Sequence, residues 1–233
     1  IESGPKITAV GFSADGTLLA AAIPGEGVRL IETDRWSTRA TLGADHGPGV
    51  AVFSEDGRLM ASAGLDLTVR VWDVASETEV QRFEGHTSLI WGLRFTPSGR
   101  RLVSVSRDES VRLWDLQALA SDTRSGGHSS AVTGLAFRPD GGELASASVD
   151  GTVRFWDPAT GMSTREHLVQ EDEVNQLAYH PAGSLLATTS ADSRARVWDL
   201  DTRQVDAMVT LHDVSSWGVD FSRDGSLPAP SGW

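Results

Sequence analysis

The sequence predicts an all-β fold, a β-propeller of four-stranded antiparallel blades, with about five complete blades and a partial sixth. Three observations predict it. Trp-Asp pairs recur at Trp72-Asp73, Trp114-Asp115, Trp156-Asp157 and Trp198-Asp199, each step being 42 residues. A second series, Phe53, Phe95, Phe137, Tyr179 and Phe221, keeps that step, and Phe12 precedes it by 41 residues. Between these markers the apolar runs are short and bounded by turn residues. A fixed period of roughly 40 residues marks a stacked supersecondary unit rather than one continuous core.

Each unit is built the same way. In the third, Ile90 to Phe95, Arg101 to Val105 and Ser110 to Asp115 are strand-like, with a weaker run near Gln117 to Arg124. Each run is rich in Val, Leu and aromatic residues, and Gly, Asp, Ser or Pro separate them. No window sustains the 3.6-residue period of a helix. Four short strands in about 40 residues is the arithmetic of a propeller blade. The aromatic series runs into turns such as Ser54-Glu55-Asp56-Gly57 and Arg138-Pro139-Asp140-Gly141. Two polar series share the period: His86, His128, Gln170 and His212, and Asp66, Asp108, Asp150 and Asp192. The repeats fall at about 1–42, 43–84, 85–126, 127–168 and 169–210, with a truncated 211–233. In that last unit Pro228 and Pro230 argue against a strand after Phe221.

The motifs Gly85-His86 leading to Trp114-Asp115, and Gly127-His128 leading to Trp156-Asp157, carry a family resemblance. The chain resembles the WD-repeat β-propellers over essentially its whole length. The resemblance implies a buried hydrogen-bonded tetrad in each blade: His86, Ser104, Asp108 and Trp114 in the third, His128, Ser146, Asp150 and Trp156 in the fourth. Asp accepts, the indole N–H donates, and Ser and His do both, so the four satisfy one another where an orphan would be costly. The second repeat departs from the pattern, with Ser62, Asp66 and Trp72 but Ala44 at the His position. The fifth has Gln170 with Thr188, Asp192 and Trp198. The first, with Ala21, Gly25 and Ile31 at the Ser, Asp and Trp positions, is expected to be the least rigid. A Ser-His-Asp catalytic reading is disfavoured because the set recurs once per blade. Arg recurs two residues before the Trp position, at Arg29, Arg70, Arg112, Arg154 and Arg196, where its stem packs along the blade and its head pairs with a nearby carboxylate. The Asp-Gly turns read as hairpin turns rather than calcium loops.

At 42 residues per unit the chain makes about five and a half blades, while the resemblance implies seven. An incomplete seven-bladed ring is therefore expected, in a chain that begins at Ile1 and stops within a repeat. A small propeller closing with five blades is the competing account. An unclosed ring would leave strand edges free, so self-association through open blade edges is expected.

Composition narrows function. The formal net charge is −12, from 20 basic and 32 acidic residues, which disfavours nucleic acid and anionic membrane surfaces as partners. Cysteine is absent, excluding disulfides and thiolate metal sites and fitting a cytoplasmic location. No apolar run approaches the roughly 20 residues of a membrane helix. No phosphate loop, His-Glu-x-x-His or nucleophile elbow is present, so neither catalysis, cofactor nor metal is expected.

A non-catalytic protein–protein interaction scaffold is the leading reading. The alternative, from the resemblance, is the sensor or docking portion of a larger bacterial signalling enzyme, a kinase, caspase-like protease or nucleotide-switched ATPase. Residues that break the repeat are the candidate partner-binding rim: Leu89, Trp91, Arg107, Thr133, Glu173, Asn175 and Trp217. Trp91 and Trp217 occupy equivalent positions and suit a binding hot spot. Both also alternate with core positions, so blade core is an equal reading for them.

Overall fold

A computed structural model describes residues 6–117, 122–210, 216–222, 224–225 and 228–232; at 122–126, 166, 216–217 and 228–232 only the backbone is described. The described elements are all β, and no helix is long and apolar enough to cross a membrane. The chain divides into two compact units, residues 1–108 with 112–123 and residues 109–111 with 124–233.

Three meandering sheets lie in the first unit, apart from residues 110–111 and 124–126 of the third. They are β1 (Ala9–Phe12), β2 (Leu18–Ile23), β3 (Gly27–Glu32) and β4 (Ser37–Leu42); β5 (Pro48–Phe53), β6 (Leu59–Gly64), β7 (Val69–Asp73) and β8 (Thr78–Phe83); and β9 (Ile90–Phe95), β10 (Arg101–Ser106), β11 (Ser110–Asp115) and β12 (Asp122–Gly126). Each sheet keeps sequence order, every strand antiparallel to the next. The fourth strand of the third repeat thus lies later than the 117–124 run expected for it.

The second unit has β13 (Val132–Phe137), β14 (Leu144–Ser148), β15 (Thr152–Trp156) and β16 (Ser163–Val169); β17 (Val174–Tyr179), β18 (Leu185–Ser190), β19 (Arg194–Asp199) and β20 (Gln204–Thr210); and a two-stranded sheet of β21 (Ser216–Phe221) and β22 (Pro228–Gly232). The last strand corrects the expectation that two prolines prevent one. β22 pairs with β21, Pro228 opposite Phe221 and Pro230 opposite Val219. β22 is an edge strand, and its prolines are two residues apart. Their missing N–H groups therefore fall on one side of the strand, while Ala229 and Ser231 alternate toward the other.

The hydrocarbon cores lie between successive sheets. Leu42, which ends β4, shares a core with Trp72 of the next sheet, and Leu168 of β16 shares one with Trp198. Phe83, which ends β8, stacks on Trp114 with ring centroids 5.1 Å apart. Within each unit these blades close against the tryptophan of their successors, so such repeats are stabilised by their neighbours. Val10 of β1 has no such neighbour. It is 60% exposed, whereas Leu93, its counterpart on β9, is fully buried at 0%. Every residue of β20 is exposed.

Candidate functional site

A polar chain runs through the third blade. The indole Nε1–H of Trp114 donates to Ser104 Oγ at 2.8 Å. Ser104 Oγ and His86 Nε2 are 2.6 Å apart, and His86 Nδ1 and Asp108 Oδ2 are 2.8 Å apart. An indole only donates and a carboxylate only accepts, which sets one direction: Trp to Ser, Ser to His, His to Asp, with a neutral imidazole carrying its proton on Nδ1. The fourth blade repeats it. Trp156 donates to Ser146 at 2.8 Å, Ser146 meets His128 Nε2 at 2.8 Å, and His128 Nδ1 meets Asp150 at 3.0 Å. Ser104 and Ser146 are fully buried between an indole and an imidazole, where no substrate reaches their hydroxyls.

Burial, the largest influence, pushes the His128 pKa down, against the pull of Asp150. Burial also opposes ionisation of Asp150. Hydrogen bonds from Thr152, the Ser129 amide and His128 outweigh it and hold that carboxyl at about 2.

The fifth blade reverses the middle of the chain. Gln170 Nε2 donates to Thr188 Oγ1 at 2.8 Å, and Trp198 Nε1 donates to the same oxygen at 3.0 Å. Gln170 Oε1 then accepts from Arg196 Nη1 at 3.1 Å, and Arg196 pairs with Asp192. Gln170 has no second donor on its oxygen side, so Arg196 supplies the link to the carboxylate. Arg70 likewise pairs with Asp66 at 2.7 Å, and Arg29 with Glu26 at 2.6 Å. Arg112 and Arg154 each keep a buried Nε with no hydrogen-bond partner.

The second blade corrects the sequence reading. His46, not Ala44, takes the His position: its Nδ1 lies 2.7 Å from Asp66 Oδ1. The His-to-Asp separation is 20 residues here and 22 in the next two blades, so a rigid 42-residue alignment points two residues too early. The His-Gly order at His46-Gly47, against Gly-His elsewhere, was the available signal. The shortened loop brings backbone in close. A Cβ at Gly64, where the other blades carry Ser106, Ser148 and Ser190, would sit 2.3 Å from the His46 carbonyl oxygen. Trp72 still donates to Ser62 at 2.9 Å, but His46 Nε2 is buried without a partner, so the chain is interrupted. For Asp66, burial opposes ionisation. Hydrogen bonds from His46, Arg70 and Thr68 prevail and hold it at about 2. In the first blade Ala21 is buried and pairs with Val10 of β1 and Arg29 of β3, so the hydroxyl of the polar set is missing there.

In the third blade the buried chain holds the loops at one end. Asp108 also accepts the Thr87 amide at 2.9 Å, Ser106 Oγ donates to the Ser88 carbonyl at 3.0 Å, and the Arg107 amide donates to the Leu89 carbonyl at 2.9 Å. Leu89, Trp91 and Arg107 are thereby displayed together at the end of the third blade. Trp91 is 49% exposed and Leu89 and Arg107 are exposed as well, which resolves Trp91 away from blade core. Glu173 is exposed on the fifth blade. Two rim candidates are corrected. Asn175 is buried, and half-buried Thr133 donates to the Val174 carbonyl at 2.6 Å, joining β13 to β17. Thr133, a polar side chain that breaks the repeat, serves there as an inter-blade fastener. The Trp217 side chain and His212 lie outside the described residues. Among the described residues no three His, Asp or Glu side chains are grouped to hold a metal ion.

The profile of the family described as "WD domain, G-beta repeat" matches residues 38–73, 77–115, 122–157 and 162–199, more than half of the chain. The chain belongs to this WD-repeat family. Each matched WD repeat is offset from the blades: residues 38–73 run from β4 to the Trp-Asp of β7, so one repeat covalently spans two neighbouring blades. Among curated relatives, the human F-box-like/WD repeat-containing protein TBL1Y is 32% identical over 89 residues, 38% of this chain and 17% of that protein. Protein hir1 of Schizosaccharomyces pombe is 32% identical over 110 residues, 39% of this chain and 12% of that protein. The U3 snoRNP-associated protein-like YAOH of Oryza sativa subsp. japonica is 48% identical over 44 residues, 19% of this chain and 9% of that protein. The matched stretches thus span less than a fifth of each relative.

Proposed function

We propose that this WD-repeat chain is a non-catalytic platform that binds protein partners in the cytoplasm. One observation carries the reading: a buried polar chain rigidifies the end of the third blade and presents Leu89, Trp91 and Arg107 to solvent on it. A preorganised rim with an exposed tryptophan is the form that binding hot spots take, because little ordering entropy is lost on association. The tetrad residues are scaffold in this reading and Leu89, Trp91, Arg107 and Glu173 are rim. An acidic balance of 32 to 20 favours protein over nucleic acid or anionic lipid as the partner.

The test is affinity capture with the parent chain beside a Trp91→Ala variant of equal thermal stability. Loss of a captured protein with Trp91→Ala supports the platform. The same protein captured equally by both removes Trp91 from the site.

A further inference from the structure

Arg94 lies on β9, three residues beyond Trp91. The aligned residues of the other first strands are Gly11, Val52, Ala136, Ala178 and Asp220. Arg94 is exposed, and its guanidinium makes one hydrogen bond among the described residues, from Nη1 to the carbonyl oxygen of Leu93 at 3.0 Å. Among the described residues it joins no ion pair, in a chain with 32 acidic side chains for 20 basic ones. Arg29, Arg70, Arg82, Arg138, Arg165 and Arg196 all have carboxylate partners. Protein atoms crowd Arg94 while leaving it reachable by water. Burial alone lowers its pKa from the ordinary arginine value, with no carboxylate acting in the other direction. On the neighbouring strand β5 its counterpart, Val52, offers no charge.

The backbone brings Trp91 into use beside it. Pairing of β9 with β10 jumps from Gly92–Val105 to Ile90–Ser106, so Trp91 is the extra residue of a β-bulge. A bulge breaks the in-out alternation and re-aims a side chain. Trp91 and Arg94 are therefore both exposed, although Ile90 and Leu93 are buried. Three residues of strand separate them by about 10 Å, and an extended peptide, whose side chains on one face recur every second residue at about 7 Å, spans that distance with residues two or four apart.

We propose that this face of the third blade takes an extended acidic peptide of a protein partner, an Asp or Glu carboxylate pairing with Arg94 and an apolar side chain resting on Trp91. The inference rests on the platform reading and names its partner's chemistry. A guanidinium already partly desolvated and without a counter-ion gains more from a carboxylate than one fully in water, and its planar fork suits bidentate pairing. Exposed Arg107 at the end of the same blade places a second cation in the path of an acidic segment.

The probe is a random peptide display library selected on the parent chain. Selected peptides are resynthesised with each acid changed to its amide and titrated against the parent, Arg94→Gln and Trp91→Ala, whose melting temperatures are compared with the parent's. Enrichment of an acid two or four residues from an apolar side chain is expected. Arg94→Gln and the matching acid-to-amide change should each weaken binding roughly tenfold or more, with little further loss when combined, because they remove one pair. Selected peptides without acids, or binding indifferent to Arg94→Gln, overturn this inference. The platform reading survives that result if Trp91→Ala still abolishes binding. Failure to select any peptide overturns both.

Discussion

Tyr179 Oη donates a 3.1 Å hydrogen bond to Glu143 Oε1, joining β17 to the turn before β14 across 36 residues. Glu143 is 3% exposed, and it also accepts from Thr164 Oγ1 at 2.8 Å and pairs with Arg165 at 2.8 Å. The other repeats carry Phe at the Tyr179 position and no acid at that of Glu143, so this clamp replaces a purely apolar inter-blade contact. Burial, then the neighbouring carboxylate, pushes the Tyr179 pKa well up, keeping the hydroxyl a donor.

Removing Glu143 leaves a buried phenol without an acceptor and a half-buried guanidinium with the Leu200 carbonyl but no carboxylate. Glu143→Ala is predicted to cost about 3 kcal/mol, and Tyr179→Phe, which leaves Arg165 on the carboxylate, about 1 kcal/mol. Urea titration of both variants checks the order. Equal midpoints for Glu143→Ala and the parent would remove the clamp from the stability of the fold.

Asp108→Ala strips His86 Nδ1 and the Thr87 amide of their acceptor. It is predicted to cost about 1–3 kcal/mol. Amide hydrogen exchange at Thr87 should quicken in step with the loss. A parent-like denaturation midpoint would show that the polar chain of the third blade contributes nothing net.

Three groups set the acid response. The folded-state pKa of His128 lies below its ordinary 6.5. Between the two values the unfolded chain binds the extra proton, so this stabilisation is complete above about pH 6.5 and is lost as pH falls through the folded value. Asp66 and Asp150, held at about 2, contribute fully above the ordinary 3.8 and lose their contribution as pH falls toward 2. Stability is therefore predicted to fall in two stages on acidification. A His128→Gln variant, built on the side chain that Gln170 supplies in the fifth blade, should flatten the first stage. The same drop between about pH 7 and pH 5 in variant and parent would contradict the assignment.

Exposed Val10 and Phe12 on β1, with the wholly exposed strand β20, are predicted to make the isolated chain self-associate. Light scattering should show mass rising with concentration, and the combined change of Val10 and Met208 to Lys should lower it. A concentration-independent monomer would oppose the prediction.

Strand content, the repeating unit and most of the buried polar partners were legible because they recur. Trp114, His86 and Asp108 recur at the 42-residue step, and the resemblance to the WD-repeat propellers groups them with Ser104. What did not recur was misread. His46 escaped because a loop shortened by two residues moves an imidazole without moving its carboxylate partner. β22 escaped because a proline rule for central strands was applied to an edge. Thr133 and Asn175 broke the pattern and so looked like rim, yet both turn inward.

The order of residues by itself determined an all-β WD-repeat chain, since apolar alternation, turn residues and a 42-residue step act locally and repeat. Only the tertiary structure decided which departures face water, that Glu143 meets Tyr179, and that Arg94 has no counter-ion among the described residues. Those outcomes depend on how neighbouring sheets meet, where residues about forty positions apart compete for the same buried volume and the same hydrogen-bond partners.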